Sequence, residues 1–263
     1  MRRYVSVVLA MILLAVLAAC GQQAESRTGP ASEPTDSQPP TATSADRPAA
    51  VVEFSDKRLE GAVRDVMSKP SGDITVEEAA AVTSLNLGND SFDDMNSKDG
   101  GVKDISALEY FTGLTELNIA FNSVSDLAPL SKLTNLETLD ISGTLVEDLS
   151  PLKDLENMKC LMACWLHGDN GVPKGIGHLD ALAGLKNLQM IDAKNAGITD
   201  VSGLSGLPKL WEVQLNDNQI ADVSPLAKVK TLKTLLLEGN PATDYSSLKG
   251  VYAQLEGKDF EIK

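Results

Sequence analysis

The chain has 263 residues, of which 43% are hydrophobic and only 4% aromatic, and its formal net charge is −14. This length and apolar content allow a sizeable core, but so few aromatic residues argue against a large aromatic pocket. An acidic surface without a basic patch cannot release counterions from phosphates, so we expect no nucleic-acid partner. Three cysteines, Cys20, Cys160 and Cys164, are too few for a disulfide scaffold.

Residues 1–19 have the pattern of a secretion signal. Arg2 and Arg3 precede an apolar run that ends in Leu17-Ala18-Ala19-Cys20, and the run is shorter than the roughly 20 residues of a membrane-spanning helix. Those last four residues resemble the lipobox of bacterial lipoproteins. In that family the cysteine receives a diacylglyceryl group and the signal is cut before it, which implies that Cys20 is a lipid anchor. An uncleaved signal anchor and a secretory signal with an incidental cysteine are the alternatives.

Residues 20–52 are rich in serine, threonine, proline and glutamine and contain almost no large apolar side chain. Such a segment cannot bury enough surface to fold. We therefore predict a lipidated, disordered linker whose acyl chains hold the protein on a membrane. The expected location is extracytoplasmic, on the cell membrane or the outer membrane.

A repeat of 22 residues runs through residues 82–263. Regular copies begin at Leu114, Leu136, Leu188, Leu210 and Leu232, and two longer copies with insertions begin at Val82 and Met158. In the first regular copy, Leu117 and Ile119 are two residues apart, which places both on one face of a short strand. Regular self-similarity of this period predicts a solenoid of stacked coils.

Polar residues also return at fixed places in the repeat. Asparagine at one position, Asn122, Asn218 and Asn240, can bond the backbone of the neighbouring coil. Aspartate at another position can cap the following turn; it occurs as Asp104, Asp126, Asp148, Asp200, Asp222 and Asp244. Proline follows as Pro129, Pro151 and Pro225, so we expect a short 3₁₀ turn instead of an α-helix.

These positions resemble the internalin-like family of bacterial leucine-rich-repeat proteins, and the resemblance covers roughly residues 53–263. It implies an α/β repeat protein: a right-handed leucine-rich-repeat solenoid with a parallel concave β-sheet, short 3₁₀ turns on the convex side and a helical N-terminal cap. Thr144, Leu166 and Ala196 depart from the pattern by replacing the asparagine, and His178 replaces the aspartate.

Both ends of the solenoid need a cap. Residues 53–81 are expected to form the N-terminal one, with an amphipathic helix over 55–68 that buries Leu59, Val63, Val66 and Met67. Thr75 and Glu78 form a capping box that opens a second helix through Ala81. At the C-terminus we predict a final helix with Leu248, Val251, Tyr252 and Leu255, followed by a strand with Phe260 and Ile262.

Alternate strand residues should point out of the concave face and provide a surface for a protein partner. The side chains turn from polar and acidic to apolar around Met162, with both tryptophans nearby, and exposed patches of this composition often mark interaction sites. The candidate partner-binding residues are Asp140, Cys160, Met162, Cys164, Trp165, Met190, Asp192, Trp211, Glu212, Gln214 and Leu236. An adventitious patch, or one covered by the inserted loop, is the alternative.

Metal binding has weaker support. Cys160 and Cys164 lie four residues apart on one strand, about 13 Å by strand rise, which is too far for a disulfide. Met158, Met162 and His167 nearby would suit Cu(I), but strand spacing separates the ligands, and we predict free thiols and no cofactor. The insertion at 91–101 superficially resembles a calcium loop but lacks two ligands. The second insertion, at 167–175, falls at the same place in the repeat and should project from the same edge.

Nothing in the sequence supports catalysis, since two histidines are present without a nucleophile motif or a glycine loop for phosphates. We therefore expect a membrane-anchored, non-enzymatic recognition or adhesion module that binds a host or bacterial surface protein and is itself monomeric. A structural spacer lipoprotein of the envelope and, less favoured, a soft-metal-binding lipoprotein are the alternatives.

Overall fold

The parallel sheet predicted from the repeat is present in the computed structural model, which describes residues 50–89, 101–166 and 175–262. Eight strands form one sheet in chain order, and each pairs in parallel with the next. They are β1 Ser84–Asn86, β2 Glu116–Asn118, β3 Thr138–Asp140, β4 Cys160–Met162, β5 Met190–Asp192, β6 Glu212–Gln214, β7 Thr234–Leu236 and β8 Gly257–Lys258. The fold is a leucine-rich-repeat solenoid, as predicted.

Aliphatic side chains returning once per coil form the core. Leu117, Leu139 and Leu161 occupy the middle of β2, β3 and β4, face one another in register and are at most 2% exposed. One continuous cluster of such residues extends from the N-terminal cap to Phe260. Each coil thus completes the core of its neighbour, because no coil can bury its apolar face alone.

Short 3₁₀ turns form the side opposite the sheet. They are Ser106–Tyr110, Ala128–Lys132, Ser150–Leu152, Asp180–Leu182, Ser202–Leu204, Ser224–Lys228 and Ser246–Leu248. Each of the six repeat aspartates accepts a hydrogen bond of 2.7–2.8 Å from the backbone N–H two residues later. Both predictions for this side, 3₁₀ turns and capping aspartates, are confirmed.

The repeat asparagines link neighbouring coils, as predicted. The Asn218 amide donates to the carbonyls of Ala193 and Leu215 at 2.8 and 3.0 Å, and its oxygen accepts from the N–H groups of Ala196 and Ile198, both at 3.0 Å. Asn122 forms the same kind of bonds at the first insertion, where its oxygen accepts from the backbone of Val102 at 2.8 Å.

The N-terminal cap contains two helices, α1 at Lys57–Val66 and α2 at Val76–Ala80. The capping box of Thr75 and Glu78 is formed, and Leu59 and Val63 are buried as predicted. The prediction for Val66 was wrong, since its side chain is 46% exposed. The helix ends at this residue.

The C-terminal cap differs from the prediction. The final helix, α3, covers only Lys249–Tyr252, and β8 precedes Phe260 instead of including it. The Phe260 ring stacks on Tyr245 with centroids 4.7 Å apart and meets Tyr252 edge-on. An aromatic cluster therefore closes the solenoid where we expected another strand.

Candidate recognition surface

Three rows of side chains cross the concave face, one for each outward position of the strands. The first row comprises Ser84, Glu116, Thr138, Cys160, Met190, Glu212 and Thr234. The second comprises Asn86, Asn118, Asp140, Met162, Asp192, Gln214 and Leu236. The third follows the strand ends and includes Ser142, Cys164, Lys194, Asn216 and Glu238. Neighbours within a row are about 4.8 Å apart, the spacing between strands.

The expected exposed patch at the centre of this face is mostly buried. Cys160, Cys164, Met190 and Asp140 are only 3%, 5%, 3% and 7% exposed, so the prediction that they lie open to a partner was wrong. Cys160 and Met190 face each other in register across β4 and β5, and the Cys164 thiol donates to Asp192. Met162 in the same patch stays half-buried and is the accessible apolar group at the centre.

Burial also decides the chemistry of the two thiols, which are free. Desolvation, together with nearby carboxylates, raises the pKa of Cys160 to about 12 and that of Cys164 still further. Only the thiolate is a strong nucleophile or metal ligand. Both cysteines are therefore protonated and unreactive at neutral pH.

Asp140 and Asp192 flank Met162 in the second row. Asp140 is 7% exposed, and burial raises its pKa although the backbone N–H of Ser142 donates to its Oδ1 at 2.9 Å. Asp192 lies in a more open setting, where its Oδ1 accepts from the Cys164 thiol at 3.1 Å. The carboxylates are thus held in fixed positions on either side of an apolar side chain.

Lys194 provides the positive charge at this place. Its Nζ lies 3.6 Å from Oδ2 of Asp192, and a third of its side chain is accessible. The candidate binding residues predicted from the sequence do not include Lys194. Its position two residues after Asp192 on the same face was the available signal.

At the C-terminal end of the surface, Gln214 donates to Glu212, and Leu236 is half-buried beside Gln214 in the second row. Asp259 closes this end by accepting from the backbone N–H groups of Leu237 and Glu238 at 2.7 and 3.0 Å. Sequence reasoning missed Asp259, because it lies beyond the last recognisable repeat.

The two tryptophans do not lie beside one another. Trp165 follows the end of β4, whereas Trp211 directly precedes β6, so they occupy opposite edges of the concave face. They are 39% and 40% exposed. The main chain fixes both, because Trp165 N donates to Lys194 O at 2.8 Å and Trp211 N donates to Gln189 O at 2.9 Å.

Trp165 has an unusual backbone conformation, with φ at 52°. The same place in other coils is occupied by Phe121, Gly143, Asn195, Asp217 and Gly239, all likewise with positive φ. Glycine, asparagine and aspartate tolerate this region, while a bulky residue is strained in it.

Several predictions fall outside the described residues: Cys20, His167 and the bodies of both insertions. Within the residues that are described, no three histidine, cysteine, aspartate or glutamate side chains come together as a metal site. No helix among them has the length and hydropathy to cross a membrane.

Comparison with known proteins agrees with the repeat fold. The family "Leucine Rich repeats (2 copies)" matches residues 102–157. No curated protein sequence gives a significant match. An internalin (inlF) of Listeria monocytogenes is similar in structure, with 27% identity and a TM-score of 0.63 over 84% of this chain and 67% of that one.

A second solved structure is similar over almost its whole length. Internalin C2 (inlC2) of Listeria monocytogenes is 26% identical, with a TM-score of 0.56, over 83% of this chain and 99% of that one. Repeat fold, caps and these neighbours together support an internalin-like leucine-rich-repeat domain, a type of scaffold that typically serves protein–protein interaction without catalysis.

Proposed function

We propose that the protein is a membrane-anchored, extracytoplasmic recognition module that binds another protein on its concave face. The observation that carries this proposal is the open sheet between two exposed tryptophans on opposite edges, with Met162 and the carboxylate of Asp192 between them. Exposed aromatic and methionine side chains on a rigid surface are typical of interface centres. The similarity to internalins favours the same class of function.

The anchor is proposed from the sequence, where Cys20 follows an apolar run and a lipobox-like motif. Cells that express the full chain should incorporate a tagged palmitate into it, and Cys20→Ala should abolish the label and release the protein from the membrane fraction. A parent chain that takes up no label, or a Cys20→Ala variant that keeps it, would contradict the lipoprotein proposal.

Recognition can be tested by crosslinking the full chain, displayed on its own cells, to surface proteins of bacterial and host membranes. Met162→Asp and Trp211→Ala should each reduce the captured amount at least about fivefold, since interface centres often contribute more than 1 kcal/mol per residue. Tyr110→Ala is the matched control, because Tyr110 is 36% exposed but lies in the 3₁₀ turn away from the concave face. Equal capture by all four proteins would favour the spacer alternative.

A further inference from the structure

We propose that the concave face binds an extended, arginine-containing segment of the partner along a diagonal band from Trp211 through Glu212 and Asp192 to Trp165. This inference rests on the proposed recognition function and narrows it to one class of partner. It goes beyond the fold, because neither the repeat nor its relatives specify what the surface binds.

The sheet register places these residues on one line. Trp211 is in register with Gln189, three residues before Asp192 in β5, and Trp165 corresponds to Asn195, three residues after Asp192. At about 3.3 Å per residue and 4.8 Å per strand, the two tryptophans are roughly 22 Å apart. Asp192 therefore lies midway between them, and an extended segment of about seven residues spans the distance.

Both ends of the band hold exposed indoles. Trp165 has φ of 52°, the left-handed conformation that this place also has in other coils, where Gly143, Asn195 and the bulky Phe121 occupy it. Such a conformation carries a free-energy cost for a bulky residue. An indole that is 39% exposed recovers only part of that cost by burial. An exposed indole at this edge of the sheet is available for contact with a partner.

Charge identifies the partner as basic. The three concave rows contain the acidic residues Glu116, Asp140, Asp192, Glu212 and Glu238, and Lys194 is their only basic residue within the part of the chain that the structure describes. Residues 1–47 hold four arginines and four acidic residues, so the whole net charge of −14 belongs to the remaining chain. An acidic segment would be repelled from this face, whereas a basic one is attracted to it.

Arginine fits this band better than lysine. Its planar guanidinium stacks on an indole face and also pairs with a carboxylate through two parallel hydrogen bonds. Trp211 precedes β6 and Glu212 begins it, so a stacking group and a pairing group come from the same edge of the sheet. In the middle, Asp192 holds Lys194 at 3.6 Å, a loose contact that an incoming guanidinium can replace.

The test uses a labelled seven-residue peptide with arginines at positions 1, 3 and 7 and threonines elsewhere, titrated against the detergent-solubilised full chain and followed by fluorescence anisotropy. In an extended peptide these positions share one face. It should bind about fivefold or more tightly than its lysine counterpart, a factor that one cation–π contact can supply, and more tightly than an isomer with three consecutive arginines. Raising the salt concentration should weaken it.

Substitutions of band residues show where the arginine peptide binds. Asp192→Asn and Trp165→Gly should each weaken the arginine peptide about fivefold or more, and Trp165→Gly should still fold, because glycine tolerates the left-handed position. Glu116→Gln is the matched control, since it removes a negative charge from β2, outside the band. The chain has only two tryptophans, so a change of intrinsic fluorescence in the parent protein gives a second readout of contact at the band.

Equal affinity for the isomer with consecutive arginines, or unchanged affinity in Asp192→Asn and Trp165→Gly, would overturn the diagonal band. If no arginine peptide binds while surface-protein capture still depends on Met162 and Trp211, the inference fails and the recognition function stands. If capture is also insensitive to those substitutions, both fail.

Discussion

Single residues decide how tightly neighbouring coils hold together. Asn218 is 5% exposed and bonds three carbonyls and two N–H groups from two coils with one side chain. Thr144 occupies the equivalent place in another coil but reaches only the carbonyl of Ile141, at 2.6 Å. The coils can tolerate such departures because the backbone ladder of the parallel sheet continues through them.

Asn218→Ala should lower the free energy of unfolding by about 2–4 kcal/mol, since it leaves several buried backbone groups without partners. Urea denaturation followed by circular dichroism measures this loss. Asn157→Ala is the control, because exposed Asn157 forms one bond of 2.9 Å to the carbonyl of Thr134, and it should cost less than about 1 kcal/mol. Equal losses in both variants would show that the buried bonds contribute no more than an exposed one.

Gly143 is required both for its conformation and for its small size. Its φ is 68°, and a Cβ added there would lie 2.4 Å from Cδ1 of the Phe121 ring. Gly143→Ala should therefore cost about 2–3 kcal/mol, the sum of backbone strain and displacement of the ring. Gly177 has φ of 62° but no atom within 4 Å of an added Cβ. Gly177→Ala therefore introduces the backbone strain alone and should cost about 1 kcal/mol. Thermal unfolding of both variants compares them, and a smaller loss for Gly143→Ala would rule out the steric contribution.

At the scale of the element, each coil repeats one device: an aspartate that caps the turn opposite the sheet. The backbone N–H and hydroxyl of Ser202 lower the pKa of Asp200, and the hydroxyl and N–H of Ser150 lower that of Asp148. These bonds stabilise the ionised carboxylate in the folded chain.

A lowered folded pKa gives these turns a defined pH dependence. Stability from the ionised caps is present above the ordinary aspartate pKa near 3.8 and is lost as the pH falls through the lower folded value. The free energy of unfolding should therefore decline as the pH drops below about 4. Urea titrations between pH 5 and 2 test this, and Asp148→Asn, which keeps an acceptor but cannot titrate, should show a shallower decline than the parent. An identical pH dependence would exclude Asp148 as a contributor.

At the scale of the whole molecule, the sequence predicts the structure correctly where the repeat is regular and less well at the C-terminal cap. Strands, 3₁₀ turns, asparagine links and aspartate caps each depend on local chemistry repeated every 22 residues, so they were predictable. The last helix and strand were placed wrongly, because the packing of Phe260 on Tyr245 overrides the local pattern of alternating apolar residues.

The sequence predicts which residues lie on the concave face, but not how exposed each side chain is. Alternation along a strand correctly places Cys160, Met162 and Asp192 on the concave face. How far a side chain is shielded depends on its neighbours in adjacent coils, which are 22 or more residues away in sequence, and that information is absent from any single strand.

Asp56 connects the N-terminal cap with the first full coil, and a whole-molecule prediction follows from it. Its Oδ1 accepts from the N–H groups of Arg58 and Leu59 at the start of α1, while its Oδ2 accepts from those of Lys103 and Asp104 at 2.8 and 3.3 Å. Although burial opposes ionisation, these four bonds lower the pKa of Asp56. One carboxylate thus joins two segments that are almost 50 residues apart.

Asp56→Ala should remove about 1–2 kcal/mol of stability, the usual contribution of a helix N-cap, and should loosen the cap before the rest of the solenoid. Hydrogen exchange followed by mass spectrometry should show faster exchange in α1 and around residues 103–104, with protection in β4–β7 retained, because distant coils contact only their neighbours. Asp65→Ala, at an exposed position of the same helix, is the control and should leave exchange unchanged. Uniform loss of protection across all strands would instead show that the cap and the repeats open as one cooperative unit.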